Sequence, residues 1–133
     1  MTPSTTHLVL IPSFDTGRKL CDTVREARAQ WNPVWVVIDG STDGSGAEVQ
    51  RLAVGDEGLR VLLLPVNQGK GAAVLHGLRA AQAAGYTHAL TMDADGQHPA
   101  GLIPEFMRAS LARPDAMILG RPVFDASAPL LRV

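Results

Sequence analysis

Residues 34–46 read VWVVIDGSTDGSG. From Val34 to Ile38 every side chain is apolar, and the run ends on Asp39 followed by glycine, serine and threonine. A near-continuous apolar run of this length, in place of an apolar/polar alternation, is the pattern of a strand covered on both faces, as in parallel sheets. The polar segment behind it holds the residue types that turn a chain. The arrangement recurs: His7 to Pro12 precedes Ser13 to Gly17, Arg60 to Pro65 precedes Asn67 to Gly71, and His88 to Met92 precedes Asp93 to His98. A fifth apolar run covers Ala116 to Gly120. Helical spacing fills the intervals, with Leu20, Val24 and Ala27 on one stripe and Val74, Leu78 and Ala81 on another. The alanine-rich helix between Lys70 and Ala84 is expected to stop at Gly85. A weaker helix is expected after Ser45, and another should hold Ile103, Phe106 and Met107 with Pro104 in its first turn. Strand and helix in alternation predict an α/β fold, a Rossmann-like layered α/β/α domain around a mostly parallel sheet with right-handed crossovers.

The totals bound what such a domain can be. A chain of 133 residues accommodates one core, so residues 1–133 are expected to form a single domain. With 46% hydrophobic residues and a net charge of −1, the composition is that of a packed protein, not of a disordered segment. The basic residues are scattered, which argues against nucleic acid as a partner. The apolar runs are far shorter than the ~20 residues a membrane span requires. No basic segment followed by an apolar stretch opens the chain, so the default expectation is a cytoplasmic address. Cys21 is the single cysteine, which excludes an internal disulfide and a cysteine zinc cluster and leaves a small core residue.

In open sheets of this kind ligands bind outside the carboxyl ends of the strands. All four polar segments fall there. Asp93-Ala94-Asp95-Gly96-Gln97-His98 carries two carboxylates that can share one divalent cation if the chain turns at Gly96, and magnesium or manganese takes such oxygen ligands together with substrate phosphates. Gln97 offers an amide oxygen, and His98 is a ligand, a hydrogen-bond donor or neither; the competing reading is an ordinary turn. Asp39-Gly40-Ser41-Thr42-Asp43-Gly44-Ser45 places a carboxylate where a base or ribose could be bound, while Thr42, Asp43 and Ser45 also suit a helix cap and tight turn. The segment is not an EF-hand loop, because its twelfth position is Gln50 and a strand precedes it. Asn67-Gln68-Gly69-Lys70-Gly71-Ala72 enters a helix with free N–H groups and the Lys70 charge, which suits an anion. It lacks the spacing of a Walker A loop. His76 reads as a surface or packing residue, and His7 and His88 open strands without a functional role.

The order of these motifs, from Ile11-Pro12-Ser13-Phe14-Asp15 through Asp39-Gly40-Ser41 and Asn67-Gln68-Gly69-Lys70-Gly71 to Asp93-Ala94-Asp95-Gly96-Gln97-His98, resembles family 2 glycosyltransferases. The likeness extends from His7 to about Gly120 and is nearest to the dolichyl-phosphate mannosyltransferase and polyprenyl-phosphate glycosyltransferase branch. What the resemblance implies is the nucleotide-binding half of a GT-A fold, a UDP- or GDP-linked sugar donor, inverting transfer, and Mn2+ or Mg2+ at the Asp-x-Asp motif. By position, Pro12 and Asp39 would line the base and ribose pocket beside Gly40 and Ser41, with Phe14 and Ala94 in the same donor-binding set. Asn67, Gly69 and Lys70 would lie near the nucleotide and its diphosphate. Asp93 would sit toward the ribose, sugar and metal, and Asp95 and Gln97 would face the metal. An acceptor such as a polyprenyl phosphate, or another lipid or glycan, would place the protein at the inner face of a membrane.

Three departures accompany the likeness. The family commonly has Asn-Glu where this chain has Asp15-Thr16, and two successive aspartates where it has Ile38-Asp39. The acceptor half and the catalytic base are expected after about residue 120, beyond the Val133 end, so no base is assigned. The competing expectations are a non-catalytic nucleotide-sugar-binding module and a nucleotidyltransferase. The latter is disfavoured because no Gly-rich, Arg-containing loop follows the first strand.

Overall fold

Two strands in the middle of the sheet are buried at every position, and they set the architecture: β1, His7–Ser13, and β2, Val34–Asp39. The computed structural model describes residues 1–94 and 99–118. Around those strands the chain adds α1 (Arg18–Gln30), α2 (Ser45–Val54), β3 (Leu59–Leu64), α3 (Lys70–Ala83), β4 (His88–Thr91), a 3-10 turn at Ala100–Leu102 and α4 (Ile103–Ala112). The sheet is parallel throughout, in the order β3-β2-β1-β4. After β1 the chain builds outward through β2 and β3, then returns through α3 to pair β4 with the other side of β1. The strand order therefore reverses between β1 and β4, the place where α/β sheets open a crevice at their carboxyl edge.

Successive side chains of a strand point to opposite faces, so β1 and β2 feed two cores. Val9, Ile11, Val34, Val36 and Ile38 pack with Leu20 and Val24 of α1, Val49 of α2 and Ile103 and Met107 of α4. Leu8, Leu10, Trp35 and Val37 face α3 through Ala73 and Ala81. The alanine content of α3 follows from how close it sits: a Cβ on Gly77 would lie 2.7 Å from Leu10 Cδ1 and 3.0 Å from Val37 Cγ2. The edge strands are less covered. On β3, Arg60 and Leu63 are exposed, and the Arg60 guanidinium lies 4.4 Å from the centre of the Trp35 ring.

The expected helix boundaries match the chain's punctuation. Helix α3 ends just before Gly85, which has φ 97°, and Pro104 sits in the first turn of α4. The fifth strand expected at Ala116 to Gly120 is not formed over residues 116–118, where the Ala116 N–H is used in a turn to the Arg113 carbonyl. Gly120 lies outside the described residues. At the amino edge, His7 and His88 stack with ring centres 4.2 Å apart. His7 is buried between the Thr6 and Ser110 hydroxyls, and burial first, then the neighbouring His88, lowers its pKa. Cys21 is a core residue whose thiol pKa is raised, chiefly by burial. No helix among the described residues is long and apolar enough to cross a membrane.

The contact at Gly77 supplies a test. Gly77→Val would force two methyl groups into Leu10 and Val37, and overpacking of this kind typically costs about 1–3 kcal/mol. A lowered urea midpoint with an unchanged slope is the expected result, and a variant as stable as the parent would contradict the close packing.

Candidate functional site

Four loops meet above the carboxyl ends of the strands and enclose a cleft of about 860 Å³. Its floor and walls come from Pro12, Phe14, Asp15, Arg18 and Lys19 of the first loop and helix α1, Asp39 of β2, Asn67 and Lys70 before and at the start of α3, and Asp93 and Ala94 after β4. Phe14 is half exposed at the rim, an aromatic face available for stacking.

Asp39 ends β2 and is 2% exposed, a depth at which a carboxylate must be paired. Its partners all come from the third loop. Oδ1 accepts the Gln68 N–H at 2.8 Å, and Oδ2 accepts the Gly69 N–H at 2.9 Å and the Asn67 amide at 3.1 Å. The Asn67 amide also reaches the Asp39 carbonyl at 3.2 Å. Asp39 therefore lines the cleft while most of its hydrogen-bonding capacity holds that loop in place. Gly40 lets the two loops touch: its φ is 67°, and a Cβ there would lie 2.2 Å from the Asn67 nitrogen.

A second set of bonds laces the first loop to the second. Asp15 Oδ1 accepts the Thr42 N–H at 2.6 Å and the Asp43 N–H at 3.2 Å, while the Asp15 N–H donates to Ser41 Oγ at 2.9 Å. Asp43 answers by accepting the Gly17 N–H at 2.9 Å and, on its other oxygen, the Ser45 N–H and hydroxyl at 3.0 and 2.6 Å. The turn part of the reading of Thr42, Asp43 and Ser45 describes what they do, whereas the N-cap of α2 is Gly44, without a side-chain cap bond. The Asp43 carboxyl is held below its ordinary value of 3.8, mainly by the Ser45 hydroxyl. Ile38, the residue that departs from the family pattern, is core, 3% exposed and packed under Gly46. Thr16 bonds the Ser13 hydroxyl at 2.7 Å.

Lys70 opens α3 and forms an ion pair with Asp93 beside it in the cleft, joining the third loop to the fourth. The fourth loop is itself tied to α1, where the Thr23 hydroxyl donates to the Ala94 carbonyl at 3.1 Å. Asp93 presents a hard oxygen donor at the cleft surface, the chemistry that magnesium and manganese take. Asp95 and Gln97, the other expected metal-facing residues, lie outside the described residues, as do Gly96 and His98.

Of the residues expected to bind a donor, Pro12, Phe14, Asp39, Asn67, Lys70, Asp93 and Ala94 line this one cleft. Gly40, Ser41 and Gly69 stand behind it, where their contacts are to the neighbouring loops. The donor-binding set read from the sequence did not include Ser13, Asp15, Thr16, Arg18, Lys19 and Ala73, which also line the cleft. For Arg18 and Lys19 the signal was the helical phase of α1: its buried stripe runs through Leu20, Cys21, Thr23, Val24 and Ala27, which leaves those two off the core at the end nearest the strand termini.

Glycosyl transferase family 2 matches the chain over residues 8–130. The chain belongs to this family. It is 34% identical over 125 residues to a polyprenol monophosphomannose synthase of Mycolicibacterium smegmatis, a match covering 91% of this chain and 47% of that protein. It is 32% identical over 104 residues to an undecaprenyl-phosphate mannosyltransferase of Micrococcus luteus, covering 77% of this chain and 43% of the relative. This family 2 chain thus spans less than half the length of these curated relatives. Its fold resembles that of a mannosyltransferase from Pyrobaculum calidifontis solved in complex with GDP-Man and Mn2+, with TM-score 0.53 and 23% identity over 71% of this chain and 30% of that one. The GT-A fold expected from the motifs is the fold observed.

Two measurements probe the family 2 cleft. Asp39→Asn places an amide among donors that need an acceptor, and leaving a buried partner unsatisfied costs about 1–3 kcal/mol, so its urea midpoint should fall at pH 7. A depressed carboxyl pKa contributes stability above its unfolded value, and that contribution disappears as pH falls through the folded value. Asp43→Asn should therefore be less stable than the parent at neutral pH, with the gap closing below pH 3.8; a gap constant with pH would remove the stabilising role of the carboxylate's bonds to Ser45 and Gly17.

Proposed function

We propose that this chain is the donor-binding half of a metal-dependent, inverting glycosyltransferase that takes a nucleoside-diphosphate sugar, most simply GDP-mannose, and serves a polyprenyl phosphate acceptor. The observation that carries the reading is the juxtaposition of Lys70, the N-terminus of α3 and Asp93 on one wall of a cleft whose other wall holds Pro12 and Phe14. The mannosyltransferase relatives support the sugar and acceptor, and the GDP-Man and Mn2+ complex of the structural neighbour supports the base and the cation.

In this reading Phe14 and Pro12 bracket the base, with Asp39 and Asn67 setting the wall against which the ribose lies. Lys70 and the free N–H groups of the α3 entrance attract the diphosphate, since both an ammonium and a helix N-terminus favour anions. Asp93, with Asp95 and Gln97, would hold Mn2+ or Mg2+, which when bound supplies Lewis-acid neutralisation of the leaving diphosphate. The acceptor phosphate would bring the protein to the inner face of a membrane as a peripheral partner. A second reading, nucleotide-sugar binding without turnover, draws on Ile38, whose burial leaves Asp39 as the sole carboxylate at that strand end. Release of labelled GDP from GDP-mannose by the chain would remove it.

Calorimetric titration with GDP and Mn2+ tests the main reading. Binding is expected for the intact chain, weakened roughly tenfold or more in Asp93→Ala and Asp95→Ala by loss of a metal-facing oxygen. No binding, or binding indifferent to both substitutions, would overturn it, and a stronger response to UDP would reassign the base.

A further inference from the structure

We infer that the stacked His7–His88 pair is an acid-operated latch, which fastens α4 to the sheet while one ring is neutral and releases it when both are charged. The pair lies at the amino edge, at the other end of the strands from the cleft, and the inference is independent of what the cleft binds. His7 opens β1 and His88 opens β4, and the two are partners in the parallel ladder. Their rings therefore meet face to face, 4.2 Å apart and 3° from parallel. Each ring turns one nitrogen toward its own strand and one toward α4 or the turn behind it. His7 Nδ1 meets the Thr6 hydroxyl at 2.8 Å, and Nε2 meets the Ser110 hydroxyl of α4 at 2.9 Å. His88 Nδ1 meets the Thr87 hydroxyl at 2.8 Å, and Nε2 donates to the Pro114 carbonyl at 2.7 Å. Among the described residues, the bonds to Ser110 and Pro114 are the polar ties between strands β1 and β4 and the segment 103–118. The rest of the hold on α4 is apolar, through Ile103 and Met107.

The partners decide where protons go. A carbonyl only accepts, so His88 Nε2 carries a hydrogen in either charge state. When that ring takes a second proton, Nδ1–H donates to the Thr87 hydroxyl, whose own hydrogen turns to the Thr6 carbonyl 3.3 Å away. His88 thus accommodates a charge without losing a bond. His7 is in a different position. It is 3% exposed, and a cavity of about 130 Å³ beside the pair is walled by Leu90, Phe106, Met107 and Met117. Among the described residues that line this cavity, none is charged besides the two imidazoles. Glu105 and Arg108 of α4, and Arg113 and Asp115 behind it, are exposed and do not line it. Arg28 of α1 is spent on Asp56, and β1 and β4 carry no charged side chain. Burial first, then the neighbouring ring, lowers the His7 pKa. A proton on His7 therefore finds no carboxylate, and its charge is hydrated only when α4 parts from the sheet. Because the fold prefers neutral His7, the latch is fully closed above 6.5, the ordinary histidine value, and loosens as pH falls below it.

Amide hydrogen exchange of the intact chain, corrected for the pH dependence of the chemical exchange rate, tests this. In the parent, protection of α4 should fall relative to that of β2 on acidification, by up to roughly tenfold for each pH unit below 6.5. His7→Gln should abolish the pH dependence of that difference. His88→Gln removes the neighbouring charge, so it should lessen the acid loss and raise the His7 titration midpoint read by nuclear magnetic resonance. Ser110→Ala cuts the His7 tie without touching either ring, and its α4 protection should be lowered already at neutral pH. An acid loss that is equal in α4 and β2, one that persists undiminished in His7→Gln, or a His7 midpoint unmoved in His88→Gln overturns the latch. Should His7→Gln not fold, Ser110→Ala decides, and parent-like protection of its α4 at neutral pH overturns the latch as well.

Discussion

A carboxylate cannot be buried without donors, and the one at Asp39 determines how the carboxyl edge of this sheet is built. Being the last residue of a fully covered strand, Asp39 must lie at the floor of whatever forms above the sheet. The donors it requires come from the third loop, so satisfying one buried charge also fixes the path by which the chain enters α3. That entrance places Lys70 beside Asp93. Geometry at the far wall of the cleft is thus inherited from an electrostatic demand at its base.

The same principle is used again at the periphery with exposed groups. Asp15 and Asp43 exchange hydrogen bonds between the first and second loops, so adjacent strand ends are stitched by carboxylates and the α3 side by an ion pair. Loops held in this way present a preformed cleft, which lowers the ordering cost of taking up a flexible ligand. The sheet below contributes stiffness through its two cores, each fed by alternate residues of β1 and β2.

Much of this was legible in the sequence because hydrophobic burial writes in a simple code. The run from Val34 to Asp39 has the boundaries of β2 residue for residue, and Gly85 marks the end of α3 because only a residue tolerant of positive φ closes the helix there cheaply. Edge strand β3 was harder, since its exposed Arg60 and Leu63 depart from the covered-strand pattern. The loops resisted for a different reason. Aspartate, serine and glycine serve equally for holding a ligand and for tying a neighbouring loop, so the sequence does not foretell the contacts that Gly40, Ser41 and Gly69 make to the loops beside them. Arg18 and Lys19 escaped because their position depends on the rotational phase of α1, which composition does not reveal. The fifth apolar run failed as a strand over residues 116–118 because a local turn claims its first N–H.

In the loop-to-loop stitching, most of the donors are main-chain groups: the N–H of Gly17, Thr42, Asp43, Ser45, Gln68 and Gly69. Every amino acid but proline brings such a donor, whereas the three acceptors demand an aspartate side chain of one length. Sequence drift is therefore cheap at Gln68, where only the main chain gives, less so at Thr42 and Ser45, whose hydroxyls give as well, and costly at the three aspartates and at Gly17 and Gly69, whose positive φ favours glycine. A scaffold of this kind can diversify the side chains that face the cleft while its frame stays unaltered.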